Sequence, residues 1–218
     1  MTQRIEESKL KTLLLILNES DLLDQKSADN LFSCFAGIEN EGVENLIVYV
    51  DFLKTIDDGS KSLLISALKK YIQSAAAEKS FPFEKLRMVE NYELYENNST
   101  DVKTDLTYDA EGLSVLFVFD LGGRDELKQI LSGFIDSCKS GEMSPSAMTS
   151  EYIAGRLNFP FEPDLIISRS KHALTDFMIW QTVYSEYYFL EKEIRRVTES
   201  DFKKAFDSFY KRERRYGA

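Results

Sequence analysis

The feature that most constrains this chain is a set of short segments made almost entirely of large apolar residues. They span residues 11–17 (KTLLLIL), 45–50 (NLIVYV), 113–119 (LSVLFVF) and 164–168 (DLIIS). A strand with one face in water alternates apolar and polar residues, whereas a strand buried on both faces is apolar throughout. Stretches with helical periodicity separate these segments. We therefore predict an α/β fold with a mainly parallel central sheet flanked by helices.

Weaker patterns complete the predicted order of elements. Residues 86–89 and 187–190 are expected to add two strands, and Ser144-Pro145 is expected to open a helix with the serine as its cap. A short helix is expected around Trp180, and the polar stretch 93–111 is expected to form a loop or a short hairpin. The longer predicted helices span residues 22–40, 60–77, 123–139 and 200–215.

Length and charge narrow the class of protein. The 218 residues fit a single domain spanning residues 1–218. The net charge of −10 argues against nucleic-acid binding, because phosphates must be neutralised by clustered cations. The sequence contains no apolar run near the roughly 20 residues that cross a bilayer, and its first residues are polar. We expect a cytoplasmic protein without a signal peptide, with at most peripheral membrane contact.

Cysteine and histidine are scarce. Cys34 and Cys138 are the only cysteines, and each lies in an apolar helical pattern. A disulfide is one reading, but two buried free thiols are favoured for a cytoplasmic protein. The sequence has no zinc-ligand spacing, and its single histidine leaves little room for a Ser-His-Asp site.

Three segments carry a resemblance to a known family. Residues 120–124 read DLGGR, residues 162–189 read EPDLIISRSKHALTDFMIWQTVYSEYYF, and residues 211–217 read KRERRYG. In order and spacing they resemble the glycine-arginine element, the signature region and the ending of cis-prenyltransferases of the undecaprenyl diphosphate synthase type. Those enzymes condense isopentenyl diphosphate onto an allylic diphosphate, with magnesium drawing off pyrophosphate. The resemblance implies their fold for the whole chain.

The loop after the first strand departs from that family. The family has Asp-Gly-Asn-Gly-Arg-Trp there, whose aspartate binds magnesium and whose glycines and arginine hold the allylic diphosphate. This chain has Asn18 at the aspartate, followed by Glu19, Ser20 and Asp21. Glu19 or Asp21 could hold a metal instead, but an ordinary loop before a helix capped by Asp24 or Ser27 is favoured. Carboxylates at this place would repel a diphosphate.

Two further substrate sites of the family are altered. Residues 51–58 lack the family's asparagine, tryptophan and arginine, while Ser168 and Ala173 stand where two diphosphate-binding arginines are expected. The remaining positive and polar groups predict at most a residual anion site. That predicted site consists of Arg124, Arg169, Ser170, Lys171 and His172.

Other family features are retained. The apolar region through which these enzymes dimerise is matched by Phe177, Trp180, Gln181, Tyr184, Tyr188 and Phe189. About half of these could equally be ordinary core. Glu186 matches a magnesium-linked glutamate of the family. Arg215, Tyr216 and Gly217 match the Arg-x-Gly tail, which in the family enters the neighbouring subunit's diphosphate site.

The combination of altered substrate sites and a retained dimer face resembles that of the accessory subunits of heteromeric cis-prenyltransferases, such as the Nogo-B receptor. We therefore expect a subunit that is inactive alone and forms a heterodimer or heterotetramer with a catalytic cis-prenyltransferase. In that complex magnesium and the isoprenyl diphosphates would be bound mainly by the partner. Two alternatives remain: an enzyme with altered chemistry on prenyl diphosphates, and a homodimeric protein that binds a prenyl or lipid ligand.

Overall fold

The computed structural model describes residues 9–90, 112–159, 161–169 and 175–212, and a six-stranded sheet forms its centre. The strands are β1 (Thr12–Asn18), β2 (Asn45–Asp51), β3 (Leu86–Glu90), β4 (Ser114–Phe119), β5 (Leu165–Ser168) and β6 (Glu186–Phe189). They are arranged in the order β3-β4-β2-β1-β5-β6, and every pairing is parallel. The predicted α/β fold with a parallel central sheet is confirmed.

Six α-helices accompany the sheet in the described ranges. They are α1 (Gln25–Ser33), α2 (Phe35–Asn40), α3 (Asp58–Glu78), α4 (Gly123–Lys139), α5 (Ser150–Ala154) and α6 (Glu199–Tyr210). Short 3-10 helices lie at Glu19–Leu22, Phe83–Lys85, Pro145–Ala147 and Ile194–Arg196. None of these helices is long and apolar enough to cross a membrane.

The apolar strands are buried on both faces by side chains that alternate between two clusters. Leu13, Leu15 and Leu17 of β1 point into the larger cluster with residues of α1, α3 and α6. Leu14 and Ile16 point into the smaller cluster on the other face. This alternation explains why the strand sequences show no polar period.

Two predicted helices differ from the structure near the amino-terminal and middle regions. The helix expected over residues 22–40 is divided at Cys34 into α1 and α2, because the Cys34 N–H bonds to the carbonyl of Leu31, three residues back. The capping by Asp24 is confirmed, since its carboxylate accepts a bond from the Ser27 N–H at 2.9 Å. Ser144-Pro145 opens only a 3-10 helix, and Ser144 makes no side-chain capping bond.

Two further helix predictions were wrong in the carboxyl-terminal region. Trp180 lies in hydrogen-bonded turns, and the φ of +53° at Met178 prevents a right-handed helix from running through residue 178. The last helix ends at Tyr210 instead of continuing to residue 215, and the Arg212 N–H closes a tighter turn on Phe209. The possible hairpin at 93–111 lies outside the described residues.

The two cysteines are free thiols, as favoured from the sequence. Cys34 is buried, but Cys138 is only partly buried, so the prediction of two buried thiols was wrong for Cys138. Cys138 lies near the end of α4, where the exposed residues Lys139 and Ser140 follow it.

Helix α6 is capped by a buried carboxylate. The Asp201 side chain accepts bonds from the Thr198 N–H at 3.0 Å, the Thr198 hydroxyl at 2.8 Å and the Lys192 ammonium at 2.7 Å. Burial raises the pKa of Asp201, but the bonds from Lys192 and Thr198 outweigh it and hold the pKa at about 2. The charged form is therefore the form that stabilises the helix start.

We expect Asp201→Asn to lower the free energy of unfolding at pH 7 by about 2 kcal/mol. Because the folded pKa lies below the ordinary value of 3.8, the difference from the parent protein should shrink as the pH falls from about 4 to about 2. Urea unfolding of both proteins across this pH range measures the difference in the free energy of unfolding. Asp207→Asn, on the exposed side of the same helix, is the control, and a loss independent of pH would contradict the proposed capping.

Candidate functional site

The candidate site lies at the edge of the sheet where the parallel strands end. Asn18 and Asp51 are paired in register at the ends of β1 and β2, and Ser168 ends β5 beside Ile16. The loops after these strands therefore meet at one edge, which is where α/β sheets bind ligands.

The loop after β1 directs one of its own carboxylates, that of Asp21, toward the protein interior. Residues Glu19–Leu22 form a 3-10 helix, and the Asn18 N–H donates to the Asp21 carboxylate at 3.0 Å. Asp21 is buried, and its Oδ1 lies 2.5 Å from the Arg169 Nε. Arg169, predicted as part of an anion site, is thus engaged in an internal ion pair with a group of the same chain.

A second group of carboxylates faces this edge. The Tyr49 hydroxyl, 3.5 Å from the Asp51 Oδ1, donates a hydrogen bond to it. Burial and the negative charge of Asp176 raise the pKa of Asp51, the Tyr49 bond lowers it, and Glu19 and Asp120 add further upward effects. Asp51 therefore experiences a negative potential from its neighbours.

The cations at this edge also face carboxylates. Lys61 Nζ on α3 lies 2.7 Å from Asp120 Oδ2, and Arg124 Nε lies 4.0 Å from Asp176 Oδ2. Arg124, also predicted as part of an anion site, is well exposed, with 77% of its side chain accessible. Sequence reasoning missed the Lys61 contact, because Lys61 and Asp120 lie 59 positions apart in the chain.

A polar cleft of about 310 Å³ adjoins the first loop. It is lined by Ser20, Asp21, Asp24, Ser27, Arg169, Glu193, Ile194 and Arg195. Its arginines are balanced by carboxylates, since Arg169 faces Asp21 and the Arg195 Nε lies 2.7 Å from the Glu193 Oε2. The described lining of the cleft therefore offers no excess positive charge for a diphosphate.

The described residues provide no preformed site for a magnesium ion. In the described ranges no three His, Cys, Asp or Glu side chains are placed to share a metal ion. Glu186 begins β6 opposite Leu165, so it lies at the amino end of β6, roughly 10 Å from the level of Ser168. Its carboxylate pairs with Arg212 at 2.7 Å. Asn18 contributes no charge where the family has aspartate.

The predicted dimer residues divide into an inner and an outer group. Phe177 is buried and stacks on Tyr49 with ring centroids 4.2 Å apart, and the buried Gln181 donates to the Phe159 carbonyl. Tyr188 packs against the larger core cluster. Trp180, Tyr184 and Phe189 expose 37%, 60% and 40% of their surface.

The exposed turn that precedes β6 is held tightly against α4. The Gly123 N–H donates to the Asp176 carbonyl at 3.1 Å, and a Cβ at residue 123 would overlap that carbonyl oxygen. Glycine is therefore required for this close approach. Ile179 and Val183, which the sequence did not single out, extend the exposed apolar surface beside Trp180 and Tyr184.

Six of the predicted site residues lie outside the described part of the chain. They are Ser170, Lys171, His172, Arg215, Tyr216 and Gly217. Their roles remain predictions.

The interior between the sheet and helices α1 and α3 is filled by aromatic rings. The Phe32 ring lies 4.5 Å from Phe35, 5.7 Å from Phe81 and 6.2 Å from Phe117, measured between centroids. Phe32, Phe35 and Phe117 are all buried. These rings therefore pack against one another within the larger core cluster.

Replacing Asp51 tests the negative potential at this edge. A carboxyl group whose folded pKa is raised opposes folding when it is charged, and this cost grows as the pH rises through that pKa. We expect Asp51→Asn to raise the free energy of unfolding at pH 7 by a few tenths to about 1 kcal/mol. The gain should shrink as the pH falls toward the ordinary pKa of aspartate and vanish below about pH 3, where the group is protonated in both states.

Urea unfolding at pH 7 and at acid pH measures this difference. Glu142→Gln removes an exposed carboxylate and serves as the control. If Asp51→Asn destabilises the protein equally at both pH values, the carboxylates at the edge do not repel one another as described.

Comparison with known proteins agrees with this fold. A family model describing undecaprenyl diphosphate synthases matches residues 25–217. The match begins at α1, so β1 and the loop that carries Glu19 and Asp21 lie outside it. The isoprenyl transferase of Brucella abortus biovar 1 (strain 9-941) is 29% identical over 189 residues, covering 84% of this chain and 74% of that protein.

Two solved structures are similar in fold. The lavandulyl diphosphate synthase of Lavandula x intermedia, in complex with dimethylallyl diphosphate, has a TM-score of 0.72 at 16% identity and covers 96% of this chain and 99% of its own. A probable undecaprenyl diphosphate synthase from Campylobacter jejuni has a TM-score of 0.70 at 19% identity and covers 97% and 100%. Because the family model matches most of its length, the chain belongs to the undecaprenyl diphosphate synthase family of cis-prenyltransferases.

Proposed function

We propose that this chain is a non-catalytic subunit of a heteromeric cis-prenyltransferase that makes polyprenyl diphosphate. The observation that carries the proposal is the charge at the carboxyl edge of the sheet. Asp51 faces the charges of Asp176, Glu19 and Asp120, and Arg169 is paired with Asp21. These are the places where a catalytic family member is expected to hold diphosphates and magnesium.

Simple electrostatics gives the size of this effect. At an effective dielectric constant of about 20, two unit charges about 5 Å apart interact by about 3 kcal/mol. A diphosphate at the edge would meet several carboxylates, while the nearby Lys61 and Arg169 already face Asp120 and Asp21. Substrate binding would require these ion pairs to open, which supports an inactive edge in this chain.

The exposed turn before β6 supports association with a second protein. Ile179, Trp180, Val183 and Tyr184 lie within six residues of one another and expose between 37% and 68% of their surface. Aromatic residues of this kind are enriched where proteins bind partners. The partner we propose is a catalytic cis-prenyltransferase of the same fold, in a heterodimer or heterotetramer.

The tail would link this subunit to catalysis. Arg215, Tyr216 and Gly217 correspond to the Arg-x-Gly ending of the family. In the proposed complex they enter the partner's active site, where the partner supplies most of the magnesium ligands and binds the isoprenyl diphosphates. Arginine donates charge-assisted bonds to phosphate oxygens, and glycine permits close approach of the backbone.

An enzyme with altered chemistry is the second candidate. It is favoured by the name of the relative from Brucella abortus, an isoprenyl transferase that aligns over 84% of this chain. The homodimeric lipid-binding alternative receives less support, because the rings of Phe32, Phe35, Phe81 and Phe117 fill the interior that would have to accept a ligand.

We predict that the purified chain alone does not elongate farnesyl diphosphate with isopentenyl diphosphate and magnesium. Losing one preorganised phosphate ligand costs about 3 kcal/mol, and several are altered together at Asn18, Ser168 and Ala173. Incorporation of labelled isopentenyl diphosphate by the chain alone and by its complex with a co-produced catalytic subunit measures this. Magnesium-dependent turnover by the lone chain would favour the altered enzyme.

A further prediction concerns the role of the C-terminal tail, residues 215–218, in that complex. Deleting residues 215–218 should leave the complex assembled, while prenyl transfer falls by roughly two orders of magnitude, the scale of one phosphate ligand. Arg215→Ala should share this loss, and Arg214→Ala, which removes the same charge from the neighbouring residue, is the control. Full turnover by an assembled truncated complex would refute the tail's proposed role.

A further inference from the structure

Within the described part of the chain, the last strand, β6, has an open edge. In the sheet order β6 pairs only with β5, and the Glu186 N–H points toward β5, where it donates to the Asp164 carbonyl at 3.0 Å. In a parallel strand the next residue points its backbone groups to the opposite side. The backbone carbonyl of Tyr187 therefore faces away from the sheet, and edge groups of this kind need another partner.

Arg212 supplies that partner. Its Nη1 donates to the Tyr187 carbonyl at 2.8 Å and to the Glu186 Oε2 at 2.7 Å, and its Nη2 lies 3.4 Å from the Ser208 hydroxyl. One guanidinium group thus contacts the first two residues of β6 and a residue of α6. The planar group has its donors in fixed directions, which lysine could not reproduce.

Helix α6, which precedes Arg212, is fixed by its packing in the core. Phe202, Phe206 and Phe209 of α6 are each at most 2% exposed in the larger core cluster. Arg212 follows two residues after α6 ends, and its own N–H bonds to the Phe209 carbonyl at 3.1 Å. Arg212 therefore joins helix α6 to the start of β6, and the last six residues of the chain follow directly after it.

We propose that Glu186 and Arg212 form a latch that fixes the direction in which the C-terminal segment leaves the fold, so that Glu186 is a positioning residue for that segment and not a magnesium ligand. The catalytic consequence of the latch rests on the proposed function, in which the segment serves a partner's site. The latch itself rests only on contacts within this chain.

The position of Glu186 supports this assignment over metal binding. Glu186 lies at the amino end of β6, whereas Glu19, Asp51 and Asp120 lie at the carboxyl edge of the sheet. A metal ion at Glu186 would have to displace the Arg212 guanidinium from the Oε2. A short Arg–carboxylate contact that also includes a backbone carbonyl is strongly oriented.

The mobility of a spin label placed directly after Arg212 tests the latch in the full-length chain. Glu213→Cys provides the attachment site in a Cys138→Ser background. Cys34 should not react, because burial, with Glu199 and Asp201 nearby, raises the pKa of its thiol to about 11. We expect Glu186→Gln and Arg212→Gln each to shorten the label's rotational correlation time at least twofold, and the double variant to add little more.

The matched control is Glu41→Gln. The Glu41 carboxylate forms an ion pair with Lys203 of helix α6 at 2.9 Å. The Glu41 side chain is 28% exposed, compared with 27% for Glu186. Its loss removes an equivalent bridge from α6 without touching β6, so label mobility should not change. Unchanged mobility in Glu186→Gln and Arg212→Gln would overturn the latch.

Prenyl transfer by the complex with the catalytic subunit separates the latch from metal binding. The latch predicts that Glu186→Gln and Arg212→Gln lower kcat alike, by about tenfold, without changing assembly or the magnesium concentration that gives half-maximal rate. An increased magnesium requirement in Glu186→Gln alone would overturn the assignment in favour of a metal ligand. Increased label mobility with full turnover would uphold the latch and refute the proposed function of the tail.

Discussion

The parallel pairing of all six strands is the constraint on which the rest of this structure depends. Parallel strands must be joined by crossings over the sheet, so both faces are covered and the strands are apolar on both sides. The same geometry brings the ends of β1, β2, β4 and β5 to one edge. Side chains at the ends of these strands are forced into proximity, and here they include the carboxylates of Glu19, Asp51 and Asp120.

We base the proposed loss of diphosphate binding on the charges at this edge rather than on the shape of the backbone. The fold is similar to two solved structures with TM-scores of 0.72 and 0.70, while at this edge Asp21 of the chain itself holds Arg169. The Arg169 side chain is only 22% accessible, so an unpaired charge there would be costly, and the Asp21 carboxylate removes that cost. The Asp21–Arg169 pair therefore allows the fold to remain stable without a bound anion.

The carboxyl-terminal region combines core and surface within a few residues. Phe177 is locked against Tyr49, while Trp180 and Tyr184 project from the turn that follows. Met178 makes this possible, because its positive φ redirects the chain between the buried and exposed parts. Such strained backbone persists only where the surroundings hold it, and Gly123 provides the close contact beside it. A rigidly presented apolar turn suits association better than a flexible one.

The sequence by itself determined the parallel α/β fold and the family, because strands such as 45–50 are apolar throughout and the signature near 162–189 is local in sequence. It also indicated that Asn18 and Ser168 lack the expected charges. Only the tertiary structure decided which groups pair: Arg169 with Asp21, Lys61 with Asp120, and Arg212 with Glu186. The physical reason is that burial periodicity is a property of neighbouring residues, whereas an ion pair depends on distances between side chains that the chain's path brings together from remote positions.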